Sequence, residues 1–278
     1  MSDSFEKDRS PAVAGMFYPD DPRELKRQID FYIKNLEDKP VLGEIHGIIV
    51  PHAGYMYSGQ VAAAAYKQLL DRDYRIVVVI APSHREYFNG ISIAPARCFK
   101  TPLGDVRVAQ ELCERLSEQD ESIKLSWTGH HKEHALEVQL PFLQRTIGEF
   151  QLIPVVMGDQ TYDYGILLGE ALAKLIRHEN ALIVASSDLS HYYPANEAER
   201  MDQRIVKLIN AYDYDMLWDE TESRSSEACG IGPMLAAMVA AKKLGANKSE
   251  VLLYQHSGNV TGDHTSVVGY LSAVLYRV

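Results

Sequence analysis

Three apolar runs in this chain stop in the same way, at a short polar cluster that contains a histidine. Residues 45–50 lead into Pro51-His52-Ala53-Gly54, residues 76–80 into Ala81-Pro82-Ser83-His84, and residues 181–186 into Ser187-Asp188-Leu189-Ser190-His191. If the runs are neighbouring strands, their carboxyl ends bring these side chains to one edge, where open α/β sheets bind ligands. A single histidine there would read as a hydrogen-bonded structural residue, but three in equivalent positions point to a shared site. Imidazole nitrogen suits iron, zinc, copper and nickel, and two histidines with one anionic donor form the facial set of non-haem iron oxygenases. Cys229 is the strongest candidate for that third donor. It lies in Ala228-Cys229-Gly230-Ile231-Gly232-Pro233, a glycine-rich loop that enters a helix. A helix N-terminus favours the thiolate, the form that binds metal. Cys98 and Cys113 fit the ordinary role of a free cysteine, a small buried apolar residue.

With His52, His84 and Cys229 on a metal, His191 is better placed to carry protons, since an unperturbed imidazole titrates near ~6.5. Asp188, three residues earlier, would orient a histidine, join the metal or cap a turn. The segment His130-His131-Lys132-Glu133-His134-Ala135-Leu136-Glu137 is histidine-rich but is not H-E-x-x-H. His134 and Glu137 are expected to hydrogen-bond the ligands or the substrate, a solvated helix start being the competing reading. Tyr57, in a glycine-rich stretch after His52, is a candidate to donate to substrate and equally a core-edge tyrosine. His256 and His264 flank a loop and are not expected to be ligands. No GxGxxG or GxxxxGK[ST] is present, so nucleotide binding has no motif.

The elements that must position these residues alternate. Asp21-Pro22 is a cap and first-turn proline for a helix, and helices are also predicted over 61–70, 108–117, 134–144, 164–177, 195–209 and 233–244. Strands are predicted over 45–50, 76–80, 91–94, 152–157, 181–186, 251–254 and 267–276. Five consecutive β-branched residues at 76–80 mark a strand buried on both faces. Apolar strands alternating with helices predict an α/β fold, a mostly parallel or mixed central sheet with helices on both faces.

The 278 residues, 46% hydrophobic and 24% charged, are read as a single domain over 1–278, with no linker, repeat or low-complexity segment. A net charge of −10 with scattered basic residues argues against nucleic acid. No apolar run approaches the ~20 residues of a membrane helix. The polar start is unlike a signal peptide, and three cysteines without CxxC spacing are unlike a disulfide framework, so a cytoplasmic location is expected.

Taken in order, Ala14-Gly15-Met16-Phe17-Tyr18-Pro19, Pro51-His52-Ala53-Gly54-Tyr55, Ala81-Pro82-Ser83-His84, Thr101-Pro102-Leu103-Gly104, Glu133-His134-Ala135-Leu136-Glu137-Val138-Gln139-Leu140-Pro141, Ser186-Ser187-Asp188-Leu189-Ser190-His191, Cys229-Gly230 and Val267-Val268-Gly269-Tyr270 resemble the Memo family. Its archaeal and bacterial members are also called the B component of the AmmeMemoRadiSam system, a name that associates them with a radical-SAM protein. The resemblance implies a fold like the LigB-like class III extradiol dioxygenases, in which two histidines and a glutamate hold Fe(II) and a further histidine is acid or base. Carried over by motif, His52 and His84 are the histidine ligands, His191 is the acid/base, and Cys229 stands where the dioxygenases have their carboxylate. A thiolate is softer and oxidisable, which shifts preference toward Cu(I), zinc or iron. Three functions follow as expectations. The first is an O2-dependent redox protein on Fe(II), with copper or zinc as the other metals. The second is a non-catalytic pocket for a small molecule or peptide. The third is a zinc hydrolase.

Overall fold

A computed structural model describes residues 5–278. The strands are β1 (Lys7–Arg9), β2 (Glu44–Val50), β3 (Ile76–Pro82), β4 (Ile91–Ile93), β5 (Ala96–Thr101), β6 (Gly104–Val108), β7 (Ile123–Leu125), β8 (Gln151–Met157), β9 (Ala181–Ser186), β10 (His191–Tyr193), β11 (Lys248–His256) and β12 (Val267–Arg277). The helices are α1 (Pro22–Lys34), α2 (Tyr55–Lys67), α3 (Gln110–Ser117), α4 (Gln139–Thr146), α5 (Tyr162–Leu175), α6 (Ala195–Asn210), α7 (Tyr214–Glu222), α8 (Ile231–Leu244) and the single turn α9 (Gly258–Thr261).

The sheet is mixed, with order β1-β5-β6-β8-β3-β9-β2-β12-β10. Its centre is parallel: β8, β3, β9 and β2 run the same way. Every residue of β3 is buried, as the β-branched run requires. β12 runs antiparallel to both β2 and β11 and is therefore an interior strand. Helices cover both faces. α8 packs on β2, β3 and β9 with α5 behind it, and α2 packs on β2 and β12 beside α1 and α4. The α5–α8 contact is close: a Cβ on Gly169 would lie 2.7 Å from Val239 Cβ.

Several predicted boundaries move, each for a local reason. The second helix starts at Tyr55 rather than residue 61, because Gly54 at its cap is followed at once by residues that pack inward. Tyr57 is therefore on a helix, not in a turn. The helix predicted over 134–144 begins at Gln139, which puts Pro141 in the first turn, where its missing N–H has no partner to lose. The turn at Pro102-Leu103 joins a hairpin of β5 and β6, so the helix expected from 108 starts at Gln110. The helix α7 and the short strands β1, β7 and β10 were not anticipated; at three residues, each strand is too short for period-two alternation to register.

His130 is a structural residue. Its ring Nε2 lies 3.2 Å from the Ser92 carbonyl, and Arg9 Nε donates to its carbonyl oxygen at 3.2 Å. Burial lowers its pKa from the ordinary value to about 3, the Ser92 carbonyl opposing only part of that. Between about 3 and the unfolded value near ~6.5 the unfolded chain binds more protons at this position. The stability it contributes is thus complete above ~6.5 and is lost progressively as the pH falls. Melting curves of His130→Asn are expected to decline less steeply between pH 6.5 and 5 than those of the wild type; equal slopes would remove His130 as the cause.

Candidate metal centre

The β2, β3 and β9 carboxyl ends do converge. His52 follows β2, His84 follows β3, and the Cys229 loop is pinned against the end of β9. Cys229 N–H donates to the Asp188 carbonyl at 3.2 Å and Gly230 N–H to Ser187 Oγ at 2.9 Å. Gln160 Nε2 donates to the Cys229 carbonyl at 2.8 Å. A Cβ on residue 230 would lie 2.2 Å from the Ser186 carbonyl oxygen, so only glycine lets this loop come so near the strand. The result is that one donor atom each from His52, His84 and Cys229 lies within 4.8 Å of the others.

Hydrogen bonds set which imidazole nitrogens face that point. Ser186 Oγ donates its only hydrogen to the Ala135 carbonyl at 2.7 Å, so toward His52 Nδ1, 2.9 Å away, it acts as acceptor. His52 then carries its hydrogen on Nδ1, and its Nε2 lone pair faces Cys229 Sγ at 3.1 Å. His84 is arranged likewise: Nδ1 lies 3.0 Å from Glu133 Oε1, leaving Nε2 free. The Glu133 carboxylate also accepts the backbone N–H groups of His84, His134 and Ala135. Burial alone would raise its pKa, but the bond and charge of His84 together with these N–H groups outweigh it and bring it down to about 2. Glu133 is therefore the anionic residue that orients His84 and stays charged. Glu133→Gln is expected to lower metal affinity about 10- to 100-fold, measured by chelator competition; an unchanged constant would deny the carboxylate that role.

Asp188 serves the other histidine. Its Oδ1 accepts the His52 backbone N–H at 2.8 Å, and Oδ2 lies 3.9 Å from His52 Nε2. Burial raises its pKa despite that N–H. His134 faces the same space, its ring centroid 5.5 Å from His52 and 4.8 Å from His84, with Phe17 on its far side at 4.8 Å. Its Nδ1 is 3.2 Å from Glu133 Oε1 but is not directed at it and has no hydrogen-bond partner. Burial first, and the neighbouring His52 second, lower its pKa to about 4. His84, Glu133 and His134 form a second cluster of donor atoms within 4.8 Å.

His191, the expected proton carrier, heads β10, and its backbone N–H points to Glu227 Oε2 at 3.4 Å. Its side chain shares with Cys229 a cavity of about 280 Å3, walled also by Gln160, Trp218, Arg224 and Glu227.

One expectation changes. Glu137 does not touch the histidines. It is fully buried and accepts from the guanidinium of Arg9, from Ala12 N (2.8 Å), Val13 N (3.0 Å) and Tyr18 OH (2.6 Å), so it anchors the N-terminal segment. Glu133 and Glu137 are four positions apart, and across the intervening turns they bind different partners. Tyr57 lies in the first turn of α2, and its side chain makes no hydrogen bond to the donor set among the described residues. Glu133 was the residue missed. Its signal was a carboxylate directly beside His134, outweighed by the histidines around it.

The chain matches the description "Memo-like protein" over residues 9–274. It belongs to the Memo family. It is 39% identical over 271 residues to a MEMO1 family protein of Methanothermobacter thermautotrophicus, covering 94% of this chain and 98% of that one. A MEMO1 family protein of Methanocaldococcus jannaschii is 38% identical over 285 residues, covering 97% and 99%, and one of Sulfolobus acidocaldarius is 39% identical over 278 residues, covering 95% and 98%. Among solved structures, an uncharacterized protein of Escherichia coli K12 superposes with a TM-score of 0.50 at 15% identity, covering 84% of this chain and 100% of that one, a likeness of fold alone. Memo-family membership thus stands beside the site geometry, and no described helix of this Memo-family chain is long and apolar enough to cross a membrane.

Proposed function

We propose that the chain binds a metal ion through His52 Nε2, His84 Nε2 and Cys229 Sγ and uses it in an O2-dependent redox reaction. The observation that carries the reading is the convergence of these three donors, each histidine held by its Nδ1 so that Nε2 points inward. Two imidazoles and one thiolate suit Fe(II) first and copper second. Bound there, such an ion supplies Lewis acidity and a one-electron couple toward O2.

The chain's own groups have separable tasks. Asp188 fixes the His52 loop through the backbone N–H, and Glu133 fixes the His84 ring. His191 borders the cavity on the Cys229 side and holds or moves a proton there. Trp218 and Ile231 give that cavity an apolar wall that limits water. Zinc-dependent hydrolysis is the second reading, favoured by three protein donors beside a cavity, the arrangement of catalytic zinc.

Anaerobic titration with Fe(II), Cu(I) and Zn(II), followed by oxygen uptake of each loaded form, decides between them. The redox reading expects one equivalent bound and oxygen consumed above that of the free ion. Uptake no greater than free metal, with amide or ester cleavage by the zinc form, would transfer the assignment to hydrolysis.

A further inference from the structure

Beyond the Cys229 side of the metal donors, three arginines line one cavity. α6 presents Arg200 and Arg204 one turn apart, and Arg224 reaches them from the loop after α7; with Tyr193, Ser225 and Glu197 they line a cavity of about 280 Å3. Arg204 is held in place by Glu220, Nη1 to Oε1 2.6 Å. Among the described residues Arg200 and Arg224 form no ion pair, so three arginines stand against two carboxylates, Glu197 and Glu220, in a chain whose net charge is −10. That local excess of positive charge runs against the field of the whole molecule, and a bound anion would relieve it.

Arg224 has a backbone φ of 57°, the left-handed region that residues with a side chain avoid. It is the left-handed residue that closes α7: its N–H donates to the Thr221 carbonyl at 3.0 Å and the Ser225 N–H to the Glu220 carbonyl at 3.1 Å, so the turn that ends the helix also sets where Arg224 stands. The same side chain also lines the cavity against Cys229 and His191, so the two spaces share a wall. Tyr193 makes a second connection: it borders the arginine cavity and donates to Glu227 Oε1 at 2.6 Å, and Glu227 borders the other.

We propose that Arg200, Arg204 and Arg224 form a binding site for an oxyanion, the phosphate or carboxylate of a small molecule, separate from the metal donors and joined to their cavity at Arg224. Guanidinium forks match the two oxygens of either group, and one fork already held by Glu220 loses less freedom on binding. The site needs no metal and stands apart from the redox reading.

The test uses the metal-free full chain, titrated calorimetrically with inorganic phosphate and, separately, with succinate at constant ionic strength set by chloride. Saturable binding of at least one is expected, weakened tenfold or more by Arg200→Ala and by Arg224→Gly. Arg107→Ala, a basic residue on β6 outside this cavity, serves as the charge control and is expected to leave the constant unchanged. Glycine accepts the left-handed backbone, so the melting temperature of Arg224→Gly should not fall, which separates lost binding from lost folding. Tighter phosphate than succinate assigns a phosphate ester, and the reverse assigns a carboxylate. Absence of saturable binding by either probe overturns the proposal, as does binding that Arg107→Ala weakens as much as the two site variants.

Discussion

Cys229→Ala is expected to abolish stoichiometric metal binding while leaving the fold intact. The thiol is one of only three donors in the set, and ligand loss should exceed the ~10- to 100-fold cost of disturbing an orienting partner. Alanine fills less space but breaks no strand, and Gly230, the residue that requires the close approach to Ser186, is retained. Burial first, and the nearby Asp188 carboxylate second, push the Cys229 thiol pKa well up. Binding must therefore displace a proton from sulfur, so affinity should rise with pH. In calorimetry across buffers of different ionisation enthalpy, the wild type is expected to release a proton that Cys229→Ala does not. Wild-type affinity in the alanine variant would remove Cys229 from the site. Cys229→Glu should recover binding but favour harder ions, since carboxylate replaces thiolate.

Glu137→Gln is expected to cost about 3–5 kcal/mol of stability, because it leaves the Arg9 guanidinium buried without its counter-charge. The carboxylate also accepts two backbone N–H groups and the Tyr18 hydroxyl, and an amide cannot accept from all four donors. Denaturant unfolding should show the loss. The contrast with Glu133→Gln is the informative part: that variant should lose metal affinity with a smaller change in unfolding, and Glu137→Gln the reverse. A Glu137→Gln protein of wild-type stability would mean that Arg9 finds another partner, and the anchoring role would fall.

Much of the centre was legible in the sequence because strand termini are. His52 and His84 each sit two residues past strands whose β-branched runs announce themselves, and parallel pairing then brings the ends together without knowledge of side-chain detail. Cys229 was legible by its glycines, and Gly230 is the one whose missing Cβ lets the loop reach Ser186. Glu137 was misread because sequence spacing says nothing of direction outside regular structure. Residues 130–138 form turns rather than a helix, and within them Glu133 and Glu137 face different neighbours. The partner of Glu137, Arg9, is 128 residues away, and no local pattern encodes so distant a pairing. The helix start at Tyr55 was hidden for a related reason: glycines at 54 and 59 resemble a loop, whereas residue 59 needs glycine because Tyr32 would lie 2.5 Å from its Cβ.

The order of strands has a consequence for how the molecule comes into being. β2 lies between β9 and β12, so a growing chain carries residues 44–50 with both edges bare until residues 181–186 and then 267–277 have been made. Pairings between such distant segments make folding slow and leave aggregation-prone edges exposed meanwhile. The donors inherit that schedule: both imidazoles leave the ribosome long before the thiol, and an ion that arrives early meets an unfinished set. Under the proposed metal-binding function, selectivity is then partly a question of timing, decided by when the last third of the chain closes over the first.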